Sequence, residues 1–220
     1  MKIACLHSAH SNIAVFEAAA RQLGLADGTL LHEVQPQWLT LAEQAGGLTA
    51  DIEHGVRTAL LQLAQQADAV MLTCSTLGPA VPGAAQASAV PLLRVDAALA
   101  AQAVEHGGRV LALCAVETTL QPTLALFSAA ASGSGIEVEV EVEVRLVPGA
   151  WALFKAGDGE GYLEAIADAA SAAYAEGFSL VVLAQASMAG ASERVSNGPP
   201  PLSSPVAGLA RAVAELSRQR

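Results

Sequence analysis

The chain has few of the residues that stabilise small secreted domains or bind nucleic acids. Its 220 residues include three cysteines, 4% aromatic residues, and 11 Lys and Arg against 21 Asp and Glu, for a formal charge of −10. Three cysteines, an odd number, do not make a disulfide framework, which indicates a reducing, intracellular environment. Because the chain is acidic and has no basic cluster, it would repel nucleic acid, and we expect no such partner.

Long apolar segments are also missing, although 53% of the residues are hydrophobic. The longest apolar runs, such as 69–72 and 180–184, have the length of strands and not of a membrane span. The first residues, MKIACLH, have neither the apolar region nor the cleavage site of a signal peptide. We therefore expect a cytoplasmic protein with no membrane partner.

The residues that are present favour an α/β fold. Forty-eight are alanine and only 15% are charged, which is too apolar for a disordered chain. Short apolar runs alternate with alanine-rich helical stretches, and this alternation predicts parallel strands joined by crossover helices. The predicted strands are 2–7, 29–34, 68–73, 90–95, 109–114 and 180–184, and the predicted helices are 13–23 after an Asn12 cap, 50–66, 96–106 capped by Asp96, and 206–219.

The second half of the chain resembles the first. An offset of 113 residues aligns Cys74 with Ser187 and also Trp38 with Trp151, which suggests an internal duplication. We predict two pseudo-symmetric α/β lobes, 1–97 with the C-terminal helix 205–220 and 98–204, each a parallel sheet flanked by helices, with the active site in the cleft between them.

One segment, IEVEVEVEVR at 136–145, alternates perfectly between apolar and charged residues. It could bind a cation, but carboxylates stacked on one face repel one another, so we favour a strand with a solvated face. The preceding 129–135, AAASGSG, is predicted to be a flexible loop.

Polar side chains follow four of the predicted strands, where parallel sheets bind ligands. Cys74 is the strongest candidate, because a helix starting nearby would lower its pKa and make it a base or nucleophile. A free cysteine can equally fill a core position, and both roles stay open for Cys74. We assign Cys5 and Cys114 to the core. The other candidates after these strands are His7, Ser8, Ser75, Thr76, Thr118, Thr119 and Ser187.

The histidines do not form a recognisable metal motif. His7 and His10 lie three residues apart and His32 lies on a strand, but no Cys-x-x-Cys or His-Glu-x-x-His is present. We therefore predict no metal site. His7 could contact a substrate or orient a catalytic group. Dinucleotide, P-loop and Gly-x-Ser-x-Gly motifs are also missing from the sequence.

Three segments together resemble the aspartate/glutamate racemase superfamily: LTCSTLGP at 72–79, AVETTLQPT at 115–123 and VVLAQASMA at 181–189. The resemblance covers nearly the whole chain. It implies two pseudo-symmetric α/β lobes and a cofactor-independent enzyme acting on a small carboxylate, as in aspartate, glutamate and hydantoin racemases, maleate isomerase and arylmalonate decarboxylase.

The resemblance also implies roles for individual residues. Cys74 matches one of the two catalytic cysteines of these racemases, and our alignment puts Ser187 in place of the other. Ser8, Ser75, Thr76, Thr118 and Thr119 match loops that line the site or hold the substrate carboxylate. A serine hydroxyl is a much weaker acid than a thiol, so this chain departs from the two-thiol mechanism. Arylmalonate decarboxylases also keep one cysteine, but in the second lobe.

Three functions remain open at this stage. The first is a racemase or isomerase with Cys74 as proton-transferring thiolate or nucleophile and Ser187 serving the other face. The second is a lyase that decarboxylates malonate-type acids, and the third is a non-catalytic binder of small acids. The alanine-rich helices would also suit a homodimer.

Overall fold

Parallel strands form two separate four-stranded sheets with the same strand order. The computed structural model describes residues 1–133 and 140–218, and it divides into two units, Met1–Ala98 with the segment from Pro205 onward, and Leu99–Ser204. Each unit has a sheet of parallel strands flanked by helices. The predicted α/β fold with two lobes is therefore confirmed.

The first sheet has the order β2-β1-β3-β4. Its central strands β1 and β3 are buried along their whole length, as expected for strands covered by helices on both faces. The elements, with the helices that connect them, are β1 (Ile3–His7), α1 (Ser11–Gln22), β2 (Leu30–Val34), α2 (Gln37–Ala45), α3 (Ala50–Leu63), β3 (Ala69–Leu72), α4 (Ala80–Ala85), β4 (Leu92–Arg94) and α5 (Val95–His106).

The second sheet has the order β6-β5-β7-β8, again with every strand parallel to its neighbours. Two 3-10 helical segments, Glu117–Thr119 and Ala186–Arg194, follow its two central strands. The other elements are β5 (Gly108–Cys114), α6 (Leu120–Gly133), β6 (Val140–Leu146), α7 (Ala150–Ala156), α8 (Gly159–Ala175), β7 (Leu180–Leu183), β8 (Leu202–Ser203) and α9 (Ser204–Arg218).

The core of the second unit explains why its central strands are apolar throughout. Successive side chains of β5 point to opposite faces of the sheet, so Leu111 and Leu113 pack in one cluster with Tyr162 and Ile166 of α8. Val110 and Ala112 pack on the other face against α5 and α6. Because helices cover both faces of this sheet, a central strand with alternating polar residues would bury polar side chains.

Several predicted element ends are wrong. Asn12 does not cap the first helix, because α1 already begins at Ser11 and Asn12 lies buried in its first turn. The predicted strand 90–95 is limited to Leu92–Arg94, and α5 begins at Val95, so Asp96 lies inside that helix and binds Arg94 instead of capping. The predicted end of the first helix is correct to within one residue, because α1 ends at Gln22 and Gly24 follows with φ +67°.

The alternating segment is a strand where the structure describes it. Glu141 and Glu143 are exposed on β6, while the valines between them are partly buried, which fits the solvated face. Positions 136–139 of the predicted strand lie outside the described residues. The predicted loop 129–135 is wrong up to Gly133, because its alanines continue α6. Positions 134–135 and Gln219 also lie outside the described part of the chain.

The packing of Phe127 in the core of the second unit can be tested by its effect on stability. Its side chain is fully buried between α6 and the second sheet, whereas Leu124 on the same helix is 39% exposed. We expect Phe127→Ala to lower the free energy of unfolding by about 3–5 kcal/mol, because a large cavity forms. Leu124→Ala should change it by less than about 1 kcal/mol. Urea unfolding measures both, and equal effects of the two substitutions would contradict this packing.

Candidate active site

Cys74 lies just beyond the end of β3, held there by the parallel register. The Thr73 N–H donates to the Leu6 carbonyl at 3.0 Å, which continues the β1–β3 pairing by one residue. The Cys74 side chain is 7% exposed. Burial raises its pKa above the ordinary thiol value, and the nearby Asp96 carboxylate raises it further.

Three hydrogen-bond donors oppose this effect of burial at Cys74. The Ser8 hydroxyl and the backbone N–H groups of Leu77 and Thr76 donate to the sulfur and lower its pKa, although burial outweighs them. Donors that converge on a sulfur stabilise the thiolate, so the surroundings of Cys74 suit a group that gains and loses a proton. Ser75 and Thr76, the residues that follow, are both buried.

Arg94 and Asp96 form a buried ion pair that sequence reasoning overlooked. The guanidinium donates from Nε and Nη2 to the two Asp96 oxygens, both at 2.9 Å, and Asp96 is 3% exposed. The guanidinium also lies over Gly78, where an added Cβ would come within 2.6 Å of it. The position of Arg94 at the carboxyl end of β4 could have drawn attention to it, as ligand-binding side chains often lie there.

Ser187 in the second unit is paired with a buried tyrosine. The Ser187 Oγ lies 2.8 Å from the hydroxyl of Tyr162, which α8 carries and which is 2% exposed. Burial, with the nearby Cys114, raises the pKa of Tyr162 to about 12, although its bond to Ser187 lowers it. The phenol therefore stays protonated at neutral pH. No motif in the sequence points to Tyr162, which lies in the first turn of α8 and not after a strand.

The strand register changes the alignment of the two halves. The Ala184 N–H donates to Leu113 as the Thr73 N–H does to Leu6, each to the penultimate residue of its central strand. Gln185 therefore occupies the position equivalent to Cys74, with an offset of 111 residues, and Ser187 is equivalent to Thr76. The offset of 113 residues that pairs Ser187 with Cys74 in the sequence therefore differs by two residues from the offset of these strands.

The Gln185 side chain hydrogen-bonds the loop that follows β5. Its Oε1 accepts from the backbone N–H groups of Ala115 and Val116 at 2.6 and 3.1 Å. An amide side chain neither gains nor loses a proton at neutral pH, and this one is already engaged as an acceptor. Gln185 therefore positions the loop after β5.

Thr118 and Thr119 lie in the 3-10 segment after β5 and differ in their contacts. The Thr118 Oγ1 is buried and has no hydrogen-bond partner among residues 1–133 and 140–218. A buried hydroxyl without a hydrogen-bond partner destabilises the fold, unless a ligand or a water molecule supplies that bond. Thr119 is 1% exposed and already interacts with another group of the protein. Of the two, Thr118 is the better candidate for binding a ligand.

His7 is buried, and both its ring nitrogens are used within the first unit. Its Nδ1 lies 2.8 Å from the Thr73 hydroxyl and its Nε2 lies 2.8 Å from His32 Nδ1. Burial, followed by the proximity of His32, lowers the pKa of His7 to about 3, so it is neutral. His10, by contrast, is exposed. The nearby Asn12 Oδ1 is buried without a partner in the described part of the chain.

The architecture and these loops define a two-unit α/β protein with polar groups at the carboxyl ends of its central strands. The sequence profile of the Asp/Glu/Hydantoin racemase family matches residues 10–213. The chain therefore belongs to this family, whose racemases are isomerases. No curated protein matches the chain.

Solved structures agree with this fold at low sequence identity. Glutamate racemase from Bacillus anthracis is 14% identical with a TM-score of 0.73, over 99% of this chain and 82% of that one. Aspartate racemase from Picrophilus torridus is 12% identical with a TM-score of 0.71, over 99% and 95% of the two chains. Arylmalonate decarboxylase is 16% identical with a TM-score of 0.61, over 98% and 92%. None of the described helices is long and apolar enough to cross a membrane.

The opposing effects on Cys74 predict how its alkylation depends on pH. Burial raises the thiol pKa, so we expect the reaction of Cys74 with iodoacetamide to be slow at pH 7 and to rise above pH 9. Ser8→Ala removes one donor to the sulfur and should move the profile upward by about one pH unit. Peptide mass spectrometry measures the rate at Cys74 alone. Ser11→Ala, an exposed serine nearby, is the control, and an equal shift in both variants would contradict the Ser8 hydrogen bond.

Proposed function

We propose that the chain is a cofactor-independent racemase or isomerase of a small carboxylate, with Cys74 as the base that removes a carbon-bound proton. The observation that carries the proposal is the convergence of the Ser8 hydroxyl and two backbone N–H groups on the Cys74 sulfur, in a chain of the racemase family. These donors stabilise the thiolate. The raised pKa also makes the thiolate a strong base, which a weakly acidic C–H group requires.

Racemisation needs a second proton on the opposite face of the substrate carbon, because the carbanion intermediate is planar. We propose that Ser187 delivers this proton. Tyr162 supports such a role, because its hydroxyl lies at 2.8 Å and can donate to the Ser187 oxygen as that oxygen loses its proton. In this mechanism the two faces are served by unequal acids, a thiol and a hydroxyl pair.

The polar groups favour a substrate with a single carboxylate. The Thr118 hydroxyl is buried without a partner in the described residues, and Ser75 and Thr76 follow Cys74 directly. Hydroxyl and backbone N–H donors can hold one carboxylate. Arg94 is already paired with Asp96, and Arg194 donates to Glu160 at 2.6 and 3.1 Å, so neither guanidinium is free for a second carboxylate. We propose that the remainder of the substrate is apolar.

Gln185 favours a lyase as the second candidate. An amide at the position equivalent to Cys74 leaves the chain with one thiol at these two positions. Decarboxylation of a malonate-type acid needs no base, because loss of carbon dioxide leaves an enolate that Cys74 could protonate on one face. Such an enzyme would give a chiral product, whereas a racemase would give a mixture.

Cys74→Ala separates these functions. We expect the wild type to exchange the C–H proton next to the carbonyl of an amino acid, a hydantoin or a substituted malonate in deuterium oxide. Cys74→Ala should lose at least about a thousandfold in rate, because the base is gone. Proton NMR follows the exchange, and Cys114→Ala is the control for a buried cysteine outside this role.

Each outcome of that screen has a defined meaning. Exchange without carbon dioxide release supports the racemase, and release with a chiral product supports the lyase. Retained exchange in Cys74→Ala would refute both. Ligands that raise the melting temperature without any turnover would indicate a non-catalytic binding protein.

Tyr162→Phe tests the second proton donor. The substitution keeps the buried ring and removes only the hydroxyl that bonds Ser187. We expect the interconversion of enantiomers to fall about tenfold to a hundredfold, with α-deuteration by Cys74 less affected, because only delivery to the second face is impaired. Ser187→Ala should likewise slow the interconversion of enantiomers more than it slows α-deuteration. Chiral chromatography and NMR on the same samples measure the two rates, and equal losses in both reactions would argue against Ser187 as donor.

A further inference from the structure

Three potential metal ligands project from one face of the first sheet. Cys5 and His7 are two residues apart on β1, and His32 on β2 is in register with Cys5. Their sulfur and nitrogen ligand atoms all lie within 4.8 Å of one another, and Cys5 and His7 are buried. The two imidazole rings have centroids 5.1 Å apart and planes that differ by 22°, so they lie nearly edge to edge.

The outer nitrogens of both rings face groups that accept hydrogen bonds. The His32 Nε2 lies 2.9 Å from the Glu17 carboxylate, which only accepts when ionised. The His7 Nδ1 lies 2.8 Å from Thr73 Oγ1, which also lies 3.0 Å from the Leu6 carbonyl. His32 therefore carries a proton on its outer nitrogen, and the Thr73 hydroxyl can pair with either tautomer of His7.

The inner nitrogens of the two rings face each other. His7 Nε2 and His32 Nδ1 are 2.8 Å apart, a distance at which one neutral ring donates a hydrogen bond to the other. A metal ion between them would bind both nitrogens once the ring proton of His7 lies on Nδ1, beside Thr73. The outer bonds to a carboxylate and to a hydroxyl are the contacts that orient metal-bound histidines in proteins.

We propose that Cys5, His7 and His32 form a binding site for a transition-metal dication, for which Zn²⁺ is the best match. One thiolate and two imidazoles are ligands that zinc prefers, and three protein ligands leave a fourth position for water. This site is separate from the proposed chemistry at Cys74 and does not depend on it.

The geometry requires only a small adjustment to accept the ion. Two nitrogens at about 2.0–2.1 Å from a tetrahedral zinc are about 3.3 Å apart, so the inner nitrogens, now at 2.8 Å, would separate by about half an ångström. Small rotations of the two rings can supply this. His32 and Glu17, with side chains 14% and 38% exposed, give a route from solvent.

The charges around the site also suit a dication. Binding releases the proton of the Cys5 thiol, so the dication and the thiolate together carry one positive charge. The Glu17 carboxylate beside His32 lies opposite this charge and offsets part of the cost of burying it.

Titration of the full chain with Co²⁺ and Zn²⁺ tests the site without any substrate. We expect one equivalent of Co²⁺ to produce the near-ultraviolet absorption of a cobalt–thiolate bond, and Zn²⁺ to displace it. Cys5→Ser should abolish the thiolate band, whereas Cys114→Ser, a change at another fully buried strand cysteine, should keep it. A wild type without the band, or a band that persists in Cys5→Ser or disappears in Cys74→Ser, would overturn the proposal.

Glu17→Gln provides a second variant if Cys5→Ser does not fold. Glu17 is partly exposed on α1 and hydrogen-bonds His32, so its replacement should leave the core intact. We expect it to weaken metal binding by about tenfold to a hundredfold, as loss of a carboxylate partner does at other sites. His54→Ala, at an exposed histidine on α3, is the control and should bind like the wild type. Unchanged affinity in Glu17→Gln would refute the assignment.

Discussion

The parallel register of β1 against β3 is the constraint on which the chemistry of the first unit depends. The bond from the Thr73 N–H to the Leu6 carbonyl places Cys74 beside Ser8. The same register puts the Thr73 hydroxyl against His7. Because side chains alternate between faces, a slip of one residue would turn every one of these groups to the other face. Burial on both faces prevents such a slip, so the apolar strands fix the positions of the polar loops.

Burial has two consequences for Cys74, and both matter for the proton transfer that we propose. It raises the thiol pKa, so little thiolate exists at neutral pH, yet the thiolate that forms is a stronger base. The hydrogen-bond donors from Ser8, Thr76 and Leu77 limit this rise in the thiol pKa without cancelling it. A solvent-exposed cysteine would ionise more readily but would have less affinity for a carbon-bound proton. The surroundings of Cys74 are therefore a compromise between the amount of base and its strength.

Local patterns in the sequence were enough to predict the fold class, because buried parallel strands are short continuous apolar runs and the helices between them are rich in alanine. They also singled out Cys74. They could not reveal Tyr162 or the His7–His32 contact, since these depend on helix packing and on register between strands distant in sequence. The three-residue spacing of His7 and His10 drew attention to the wrong pair, whereas the partner of His7 lies on the adjacent strand.

The two units share a topology and the same direction of hydrogen bonding at equivalent positions, but they differ in the group that accepts. In the first, the Ser8 hydroxyl donates to the Cys74 sulfur. In the second, the Gln185 Oε1 accepts from the backbone N–H of Ala115, the equivalent of Ser8. A sulfur that receives donors can carry negative charge, whereas an amide oxygen that occupies those donors cannot. Any second proton donor must therefore come from another position, and the Ser187–Tyr162 pair is the hydroxyl pair that the second unit offers two residues further along the chain.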